Sequence, residues 1–584
     1  MSGRLGSAGA AVGLAVALAA ALLLPGLGAS PFDDPGEGQH AEIAREVTTT
    51  GDWLTLRLNG VPYFDKPPLL YWLAAASFTL LGFTEAAARL GPLLGAVLAA
   101  AATALLGARL LGAREGLFAA GALLSSALFL AFGRYVRPET LFVAAIQWGL
   151  TGLLLAHSEA EPRRARRFTV IGAAALGVAA LAKDPLGLLG PLAAVGLALA
   201  LTGGLRPLAR WRSGPAVALL LLIGVGWYVV AALQQPGFVW YTVVDNHLLN
   251  VARLRHFPDE DVSLSALEFL GVSILGAVPW IIPAALAAMS LVRRRAWRNP
   301  QETAWTTLAL WAAGVLALFA LVPFKLPHYA LPAYPAIALL AARGWRDSAR
   351  SRRLIAAHLV LFAFLAAACA VAAASDGRVF LGTVFSATDV YTRKEAALGQ
   401  AGPVPPWSAL RPLVIQTGLV FGVGSVALLV ALIRFAPGVG RWVVLATVLG
   451  AMPAVGAAVS LVASSRAVLG VAAAIQHELA AGDLLVHEGP IENSGALEFY
   501  SGRRPVLLDA RRSVLGFGAT FAEARETFWD AERFRQEWLS GRRLMLVTTR
   551  APASSAVTRL PPERVHLLLA QNGRWLYDNA VVRR

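Results

Sequence analysis

The chain has 584 residues, of which 57% are hydrophobic and only 15% charged, with a net charge of +15. A mean hydropathy of +0.60 excludes an ordinary soluble enzyme and fits a polytopic membrane protein. The positive charge is spread over short loops instead of one soluble face, which excludes a nucleic-acid-binding module; the single cysteine, Cys369, excludes an intrachain disulfide.

Apolar runs of about 16–25 residues recur from residue 8 to residue 463, long enough to cross a hydrocarbon core of about 30 Å. The first, 8–29, follows Arg4 and is longer than the apolar core of a signal peptide, so a retained helix is expected. In the segment after it, Ala41, Ile43, Ala44 and Val47 are set among Glu42, Arg45 and Glu46, which predicts a short interfacial helix over Gly38–Thr49. Pro67 and Pro68 then open a second interfacial helix, Leu69–Leu81. Further spans are expected near 86–107, 114–132, 139–157, 168–183, 187–203, 214–234, 265–290, 303–322, 328–342, 354–374, 412–434 and 441–463, which makes about thirteen in all. From about Ser464 the composition becomes that of a soluble domain. Asp483–Glu488, Arg504–Asp509, Leu544–Thr548 and Trp575–Val581 read as strands, with helical stretches near 467–481, 494–500 and 520–540. The expected organisation is a membrane domain over 1–463, its first outer loop spanning 30–85, and a soluble α/β domain over 464–584.

Arginines mark alternate loops: Arg163, Arg164, Arg166 and Arg167; Arg206, Arg210 and Arg212; Arg293, Arg294 and Arg295; Arg350, Arg352 and Arg353. Positive charge favours the inner side, so the N-terminus is expected in the cytoplasm and, with an odd number of spans, the tail outside. Only four of the 51 basic residues are lysine. Three of these, Lys66, Lys183 and Lys325, lie within two residues of a proline at the ends of apolar segments and fall on the outer side. As point charges they suit phosphate.

Near them the outer segments gather Asp33, Asp34 and Glu37; Asp65; Arg134, Arg137 and Glu139; Asp184; and His328 and Tyr329. Ionisable groups at the edge of the hydrocarbon are costly, so several at one level point to a hydrated cavity with a charged ligand. Lysine and arginine neutralise a departing phosphate, and a carboxylate takes the proton of an attacking hydroxyl. A transporter or flippase for an anionic lipid also needs outer positive charge, but it places polar groups near the midplane, where this chain has few.

The stretch Glu37-Gly-Gln-His-Ala-Glu-Ile-Ala-Arg-Glu46 is followed by Gly51-Asp52-Trp53-Leu54 and Asn59-Gly-Val-Pro-Tyr-Phe-Asp-Lys-Pro-Pro-Leu-Leu-Tyr-Trp72. Together they closely resemble the first outer loop of bacterial GT-C glycosyltransferases, the aminoarabinose (lipid A) transferases and their relatives, distant kin of the dolichyl-phosphate-mannose protein mannosyltransferases. Arg137-Pro-Glu139, Lys183-Asp-Pro185, Asn246-His247 and Lys325-Leu-Pro-His-Tyr329 follow in the same order. The resemblance implies a GT-C membrane fold in a bacterial inner membrane. It also implies inverting transfer of a pentosyl or hexosyl unit from a polyprenyl-phosphate donor to a lipid-linked or other glycan acceptor on the outer face. A protein O-mannosyltransferase-like activity is the alternative within the same class. In such enzymes an Asp-Glu pair opens the first loop, and here Gly36 stands at the aspartate's place. That leaves Asp34, Glu37 and Glu139 as catalytic candidates. Lys66, Arg137, Lys183, Arg253, Arg255, Lys325 and Tyr329 match or neighbour positions expected to hold the lipid phosphate. Asp65 and His247 match positions where relatives bind a divalent metal; no other cofactor is expected.

Overall fold

The computed structural model describes residues 2–203, 213–258, 262–348, 352–397, 402–434 and 436–579. Arg206, Arg210, Arg212, Arg350 and Val581, used above for topology or a strand end, lie outside them. Every apolar run predicted as a span is helical, from Ser2–Leu23 to Pro437–Arg466. By length and composition, eight of the described helices are able to cross a membrane, or nine if Ala266–Gly276 and Ile281–Arg293, bent by 106°, form one span. The expectation of about thirteen also counts shorter apolar helices such as Gly187–Thr202, and broken ones such as Ala113–Leu124 with Ala127–Phe132. Small residues let the helices pack closely. A methyl group on Gly152 would meet the backbone of Gly172, so helices Glu139–Ser158 and Pro162–Ala182 touch backbone to backbone there.

Polar contacts sort the loops onto two ends of the bundle. At one end Arg343 pairs with Glu302 (2.6 Å), Arg441 with Glu115 (3.2 Å), and Arg346 donates to the carbonyl of Leu111 (3.0 Å). Arg294, from one of the arginine-rich loops assigned to the inner side, reaches Asp347 (3.6 Å) at the same end. At the other end lie the first loop, the 133–138 and 183–185 turns, the 323–333 segment and the C-terminal domain.

The predicted interfacial helix, Gly38–Thr50, is buried along most of its length, because the C-terminal domain covers it. Arg45 bridges Glu42 (2.7 Å) and Glu498 (2.8 Å), Asn59 donates to the carbonyl of Pro505 (3.0 Å), and Tyr500 donates to Glu85 (2.8 Å). Leu69–Leu81 is a 13-residue helix, about 20 Å long and too short to span.

The C-terminal domain is built on a six-stranded sheet. In spatial order its strands are Phe528–Trp529, Val506–Leu508, Leu484–Glu488, Leu544–Thr548, Arg574–Asp578 and His566–Gln571, the first four parallel and the last two antiparallel. Phe528–Trp529 and His566–Gln571 are additions to the strands read from the sequence. Chain order reverses between Leu484–Glu488 and Leu544–Thr548, and the loop leaving the first of these carries Asn493, Ser494 and Ala496 toward the membrane part. In α/β sheets such a crevice is where a ligand binds; here Arg550 and Ser555 of the same domain meet Glu488 at that strand end, and the first loop packs on the following segment, where the Ala496 amide donates to Asp34. The fourth lysine, Lys394 on helix Val390–Ala397, donates to Asn493 (3.0 Å), and Arg393 pairs with Glu268 (2.9 Å), so the long connection after Ala374 is tied across the same end.

Candidate active site

Three segments distant in sequence meet around Glu139. Glu139 opens the helix Glu139–Ser158, and Lys183 closes the helix Pro162–Ala182, so each charge has the sign favoured at its helix end. His328 and Tyr329 come from the short helical turn Pro327–Ala333. The Oε1 atom of Glu139 lies 3.3 Å from Lys183 Nζ and 3.3 Å from His328 Nε2, while its buried Oε2 has no hydrogen-bond partner among the described residues. Lys183 Nζ stands 4.7 Å over the ring of Tyr329 and 5.6 Å over that of Phe142. The His328 ring is held between Phe132 (5.2 Å) and Tyr329 (5.0 Å).

Lys325, three residues before His328, is 6% exposed. Its backbone is fixed to 263–264: the amide donates to Ser263 Oγ (3.0 Å) and the carbonyl accepts from Leu264 (3.1 Å). Among the described residues its ammonium meets no carboxylate and makes no hydrogen bond.

Asp65 and Lys66 form a second group. Lys66 Nζ lies 2.8 Å from Asp65 Oδ2, and Tyr241 and Asn246 each donate to Oδ1 at 3.4 Å. The segment Trp240–Leu249 is π-helical. Its i→i+5 ladder puts Tyr241 and Asn246, five residues apart, on the face toward Asp65. Arg255 donates to Asn246 (2.6 Å) and reaches Asp245 (3.5 Å); Arg253 is exposed at a left-handed C-cap. Burial raises the Asp65 carboxyl, but the Lys66 charge and hydrogen bond outweigh it, with help from Arg255, and hold it below the usual carboxylate range. Phe64, Phe238, Tyr241 and Phe517 wall this group, the last two stacked at 4.5 Å.

His40 links the two groups. Its Nδ1 lies 2.9 Å from the Tyr71 hydroxyl, which in turn reaches Tyr63 (3.4 Å). Burial pushes the imidazole down to about 3, and Arg137 and Lys66 add to this against the pull of Glu139 and Asp65. All four therefore lie within electrostatic reach of one ring.

The residues around Asp34 and Glu37 are placed differently. Glu37 is fully engaged: Arg89 Nε and Nη2 donate to its two oxygens (2.9 and 2.7 Å), and the Val136 amide donates at 2.9 Å. Asp34 accepts from the Ala496 amide (3.1 Å) and faces the C-terminal domain. Burial, opposed by Arg574 and that amide, pushes its carboxyl up to about 7. Asp33 accepts from the Tyr135 hydroxyl (2.5 Å).

Of the donor set expected for a metal, Asp65 has its oxygens engaged by Lys66, Tyr241 and Asn246, while His247 places Nδ1 2.6 Å from the carbonyl of Thr242, which leaves Nε2 as its ligand-capable nitrogen. Among the described residues, three ligand-type atoms converge only at Glu42, Glu46 and Glu498, and Arg45 and Arg504 already pair with that group.

Sequence reasoning did not single out Arg89, His40 or Tyr135. Arg89 offered a signal, being a charge four residues into the apolar helix Glu85–Leu110. His40 and Tyr135 offered none beyond their position in outer segments.

The loops of a helical membrane domain thus gather lysines, a histidine and a carboxylate at the end where the α/β domain docks. Residues 65–232 match the protein-family model for dolichyl-phosphate-mannose-protein mannosyltransferase. The chain is 28% identical over 320 residues to the undecaprenyl phosphate-alpha-4-amino-4-deoxy-L-arabinose arabinosyl transferase of Edwardsiella ictaluri, covering 53% of this chain and 54% of that protein. It is 26% identical over 427 residues to the Pseudomonas fluorescens enzyme of that name numbered 1, covering 69% of each. The match thus spans about half the length of the first of these relatives. Its fold is that of ArnT from Cupriavidus metallidurans, in the apo state (TM-score 0.80, 23% identity, 98% of both chains) and bound to undecaprenyl phosphate (TM-score 0.79, 23% identity, 98% and 99%). Over its membrane part the chain is thus similar to the aminoarabinose transferases and to the dolichyl-phosphate-mannose protein mannosyltransferases, and its fold is the GT-C fold.

Proposed function

We propose that this protein transfers a sugar from a polyprenyl-phosphate donor to a hydroxyl or phosphate of a lipid-linked or other glycan acceptor, at the outer face of the bacterial inner membrane. The observation that carries this reading is Lys325, three residues before His328, a side chain only 6% exposed whose ammonium has no counter-charge among the described residues. A largely buried lysine without an anion is unfavourable, so the site suits an anion that arrives with the substrate. The matched relatives are named for an undecaprenyl-phosphate-linked aminoarabinose, which makes that donor class the first to test.

In this reading Lys325, Lys66 and Arg137 hold the donor phosphate, and Tyr329 and Lys183 close the pocket. The acceptor oxygen attacks the anomeric carbon as the bond from that carbon to the phosphate oxygen breaks. The acceptor proton passes to Glu139 Oε2, and the lipid phosphate departs with the second negative charge, which the lysines stabilise. One displacement inverts the anomeric centre. Glu139 is favoured over Glu37, which is committed to Arg89, and over Asp34, which lies against the C-terminal domain, because it stands between Lys183 and His328 with an Oε2 that has no partner among the described residues. We place the N-terminus in the cytoplasm and residues 464–584 outside, a reading supported by the positive charge of the arginine-rich loops.

The test uses purified full-length protein with undecaprenyl-phosphate aminoarabinose and lipid A, with product configuration read by NMR. Lys325→Ala is expected to weaken undecaprenyl phosphate binding by about 10–100-fold, the loss of about 1.5–3 kcal/mol for one charged contact. Unchanged binding and turnover in Lys325→Ala would sink the reading.

A further inference from the structure

Gly36 stands where the resembling enzymes carry an aspartate, yet its surroundings leave no room for a side chain. A Cβ built on Gly36 would fall on the hydroxyl of Tyr135. That hydroxyl is fixed from behind, donating to Oδ2 of the buried Asp33 (2.5 Å). On its other side the Gly36 carbonyl accepts from Arg137 Nε (3.4 Å). Tyr135 and Arg137 are thus two residues apart on one turn and grip the same glycine from two directions. Phe132 continues the contact, its ring 5.7 Å from Tyr135 and 5.2 Å from His328. The turn is also pinned by the Val136 amide on Glu37 (2.9 Å), so Arg137 projects from a segment with little freedom.

We propose that Tyr135 is a positioning residue for Arg137: held by Asp33, its hydroxyl packs onto Gly36 and sets the carbonyl that orients the guanidinium toward the donor phosphate. Guanidinium recognition of phosphate depends on direction as well as charge, so a brace on the backbone that receives Arg137 acts on donor affinity. The inference rests on the proposed function, because it takes Arg137 to be a phosphate ligand. The pair also accounts for Gly36 itself, since any larger residue there displaces the tyrosine.

The test measures undecaprenyl phosphate binding to the purified full-length protein, with melting temperature as a control for folding. Tyr135→Phe is expected to weaken binding by about 10-fold, worth about 1.4 kcal/mol, and to have no further effect once Arg137 is alanine. Asp33→Asn, which still accepts the hydroxyl, retains more binding than Asp33→Ala. Gly36→Ala is expected to cost about 10-fold in the native background and less than about 2-fold in Tyr135→Ala, the signature of two groups sharing one space. Equal losses from Tyr135→Phe with and without Arg137 overturn the positioning role, as does wild-type binding by Tyr135→Phe. If the native protein does not bind undecaprenyl phosphate, the proposed function fails first and this inference with it.

Discussion

The Glu37–Arg89 pair separates a structural carboxylate from a chemical one. Both side chains are nearly inaccessible, 1% and 3% exposed, and joined through two hydrogen bonds of 2.7 and 2.9 Å. Arg89 also donates to the carbonyls of Leu27 (2.8 Å), Ser30 (2.9 Å) and Pro31 (3.0 Å), which stitches the segment after the first helix to Glu85–Leu110. Removing one partner of a buried ion pair costs about 3–5 kcal/mol, because the other charge is left uncompensated. Arg89→Met should sit at the upper end of that range, since it also frees three carbonyls, each unpaired acceptor costing about 1–3 kcal/mol where water does not replace the bond. Glu37→Gln should sit near the lower end, as the amide oxygen still accepts from the guanidinium. The double variant should lose less than the sum by about 1–3 kcal/mol, because no lone charge remains. Thermal and denaturant unfolding in detergent, followed by tryptophan fluorescence, gives the three differences, and transfer assays on the folded fraction give kcat. A Glu37→Gln protein that melts like the native chain while its kcat falls 100-fold or more would refute the reasoning and make Glu37 a chemical group.

Lys183→Met leaves Glu139 without its lysine and should lower stability by about 3–5 kcal/mol; adding Glu139→Gln should recover much of that stability in unfolding assays but none of the transfer activity. Asp34 supplies a pH dependence. Its carboxyl is raised from 3.8 to about 7 in the folded protein, so its contribution to stability is complete below about pH 4 and is lost as pH rises through about 7. The melting temperature should therefore fall between pH 5 and pH 8, with a smaller slope in Asp34→Asn, and an equal slope in the variant would remove Asp34 as the cause. For orientation, a Cys369→Ala background with cysteine at exposed Arg163 should resist an impermeant thiol reagent added from outside, whereas cysteine at exposed Thr49 should react; the reverse pattern inverts the topology.

Much of the fold was legible because a membrane helix is a local signal. Each apolar run carries its own evidence, and the helices Glu85–Leu110, Gly214–Gln234 and Arg353–Ala374 lie within a few residues of where the runs begin and end. The 106° bend between Ala266–Gly276 and Ile281–Arg293 was not legible, since both halves are equally apolar. The interfacial helix Gly38–Thr50 was legible as a helix but not as a buried one, because the side chains that cover it, such as Glu498 and Arg504, come from the far end of the chain. The site divides in the same way. The lysines stood out by composition, and the structure brings Lys183 to Glu139 and Lys66 to Asp65. The π-helical Trp240–Leu249 was invisible to an α-helical reading, which would turn Asn246 away from Tyr241 instead of placing both on Asp65.

The acidic residues of the first loop show why such sites resist reading from sequence. Asp33, Asp34 and Glu37 lie within five positions and look alike as charges near the hydrocarbon edge. Their partners are Tyr135, the amide of Ala496 and Arg89, so each carboxylate is assigned by a residue from a different part of the chain. Gly36 is the sharpest case. Alone it reports that a carboxylate is missing from the loop, and it invites a search for a substitute among its neighbours. The Tyr135 hydroxyl seated on it shows that the volume is already taken. In the proposed reading the proton transfer falls to Glu139, which like Asp33 and Asp34 has an unpartnered oxygen but alone of the three stands beside Lys183 and His328, and the glycine becomes the place where the first loop receives Arg137.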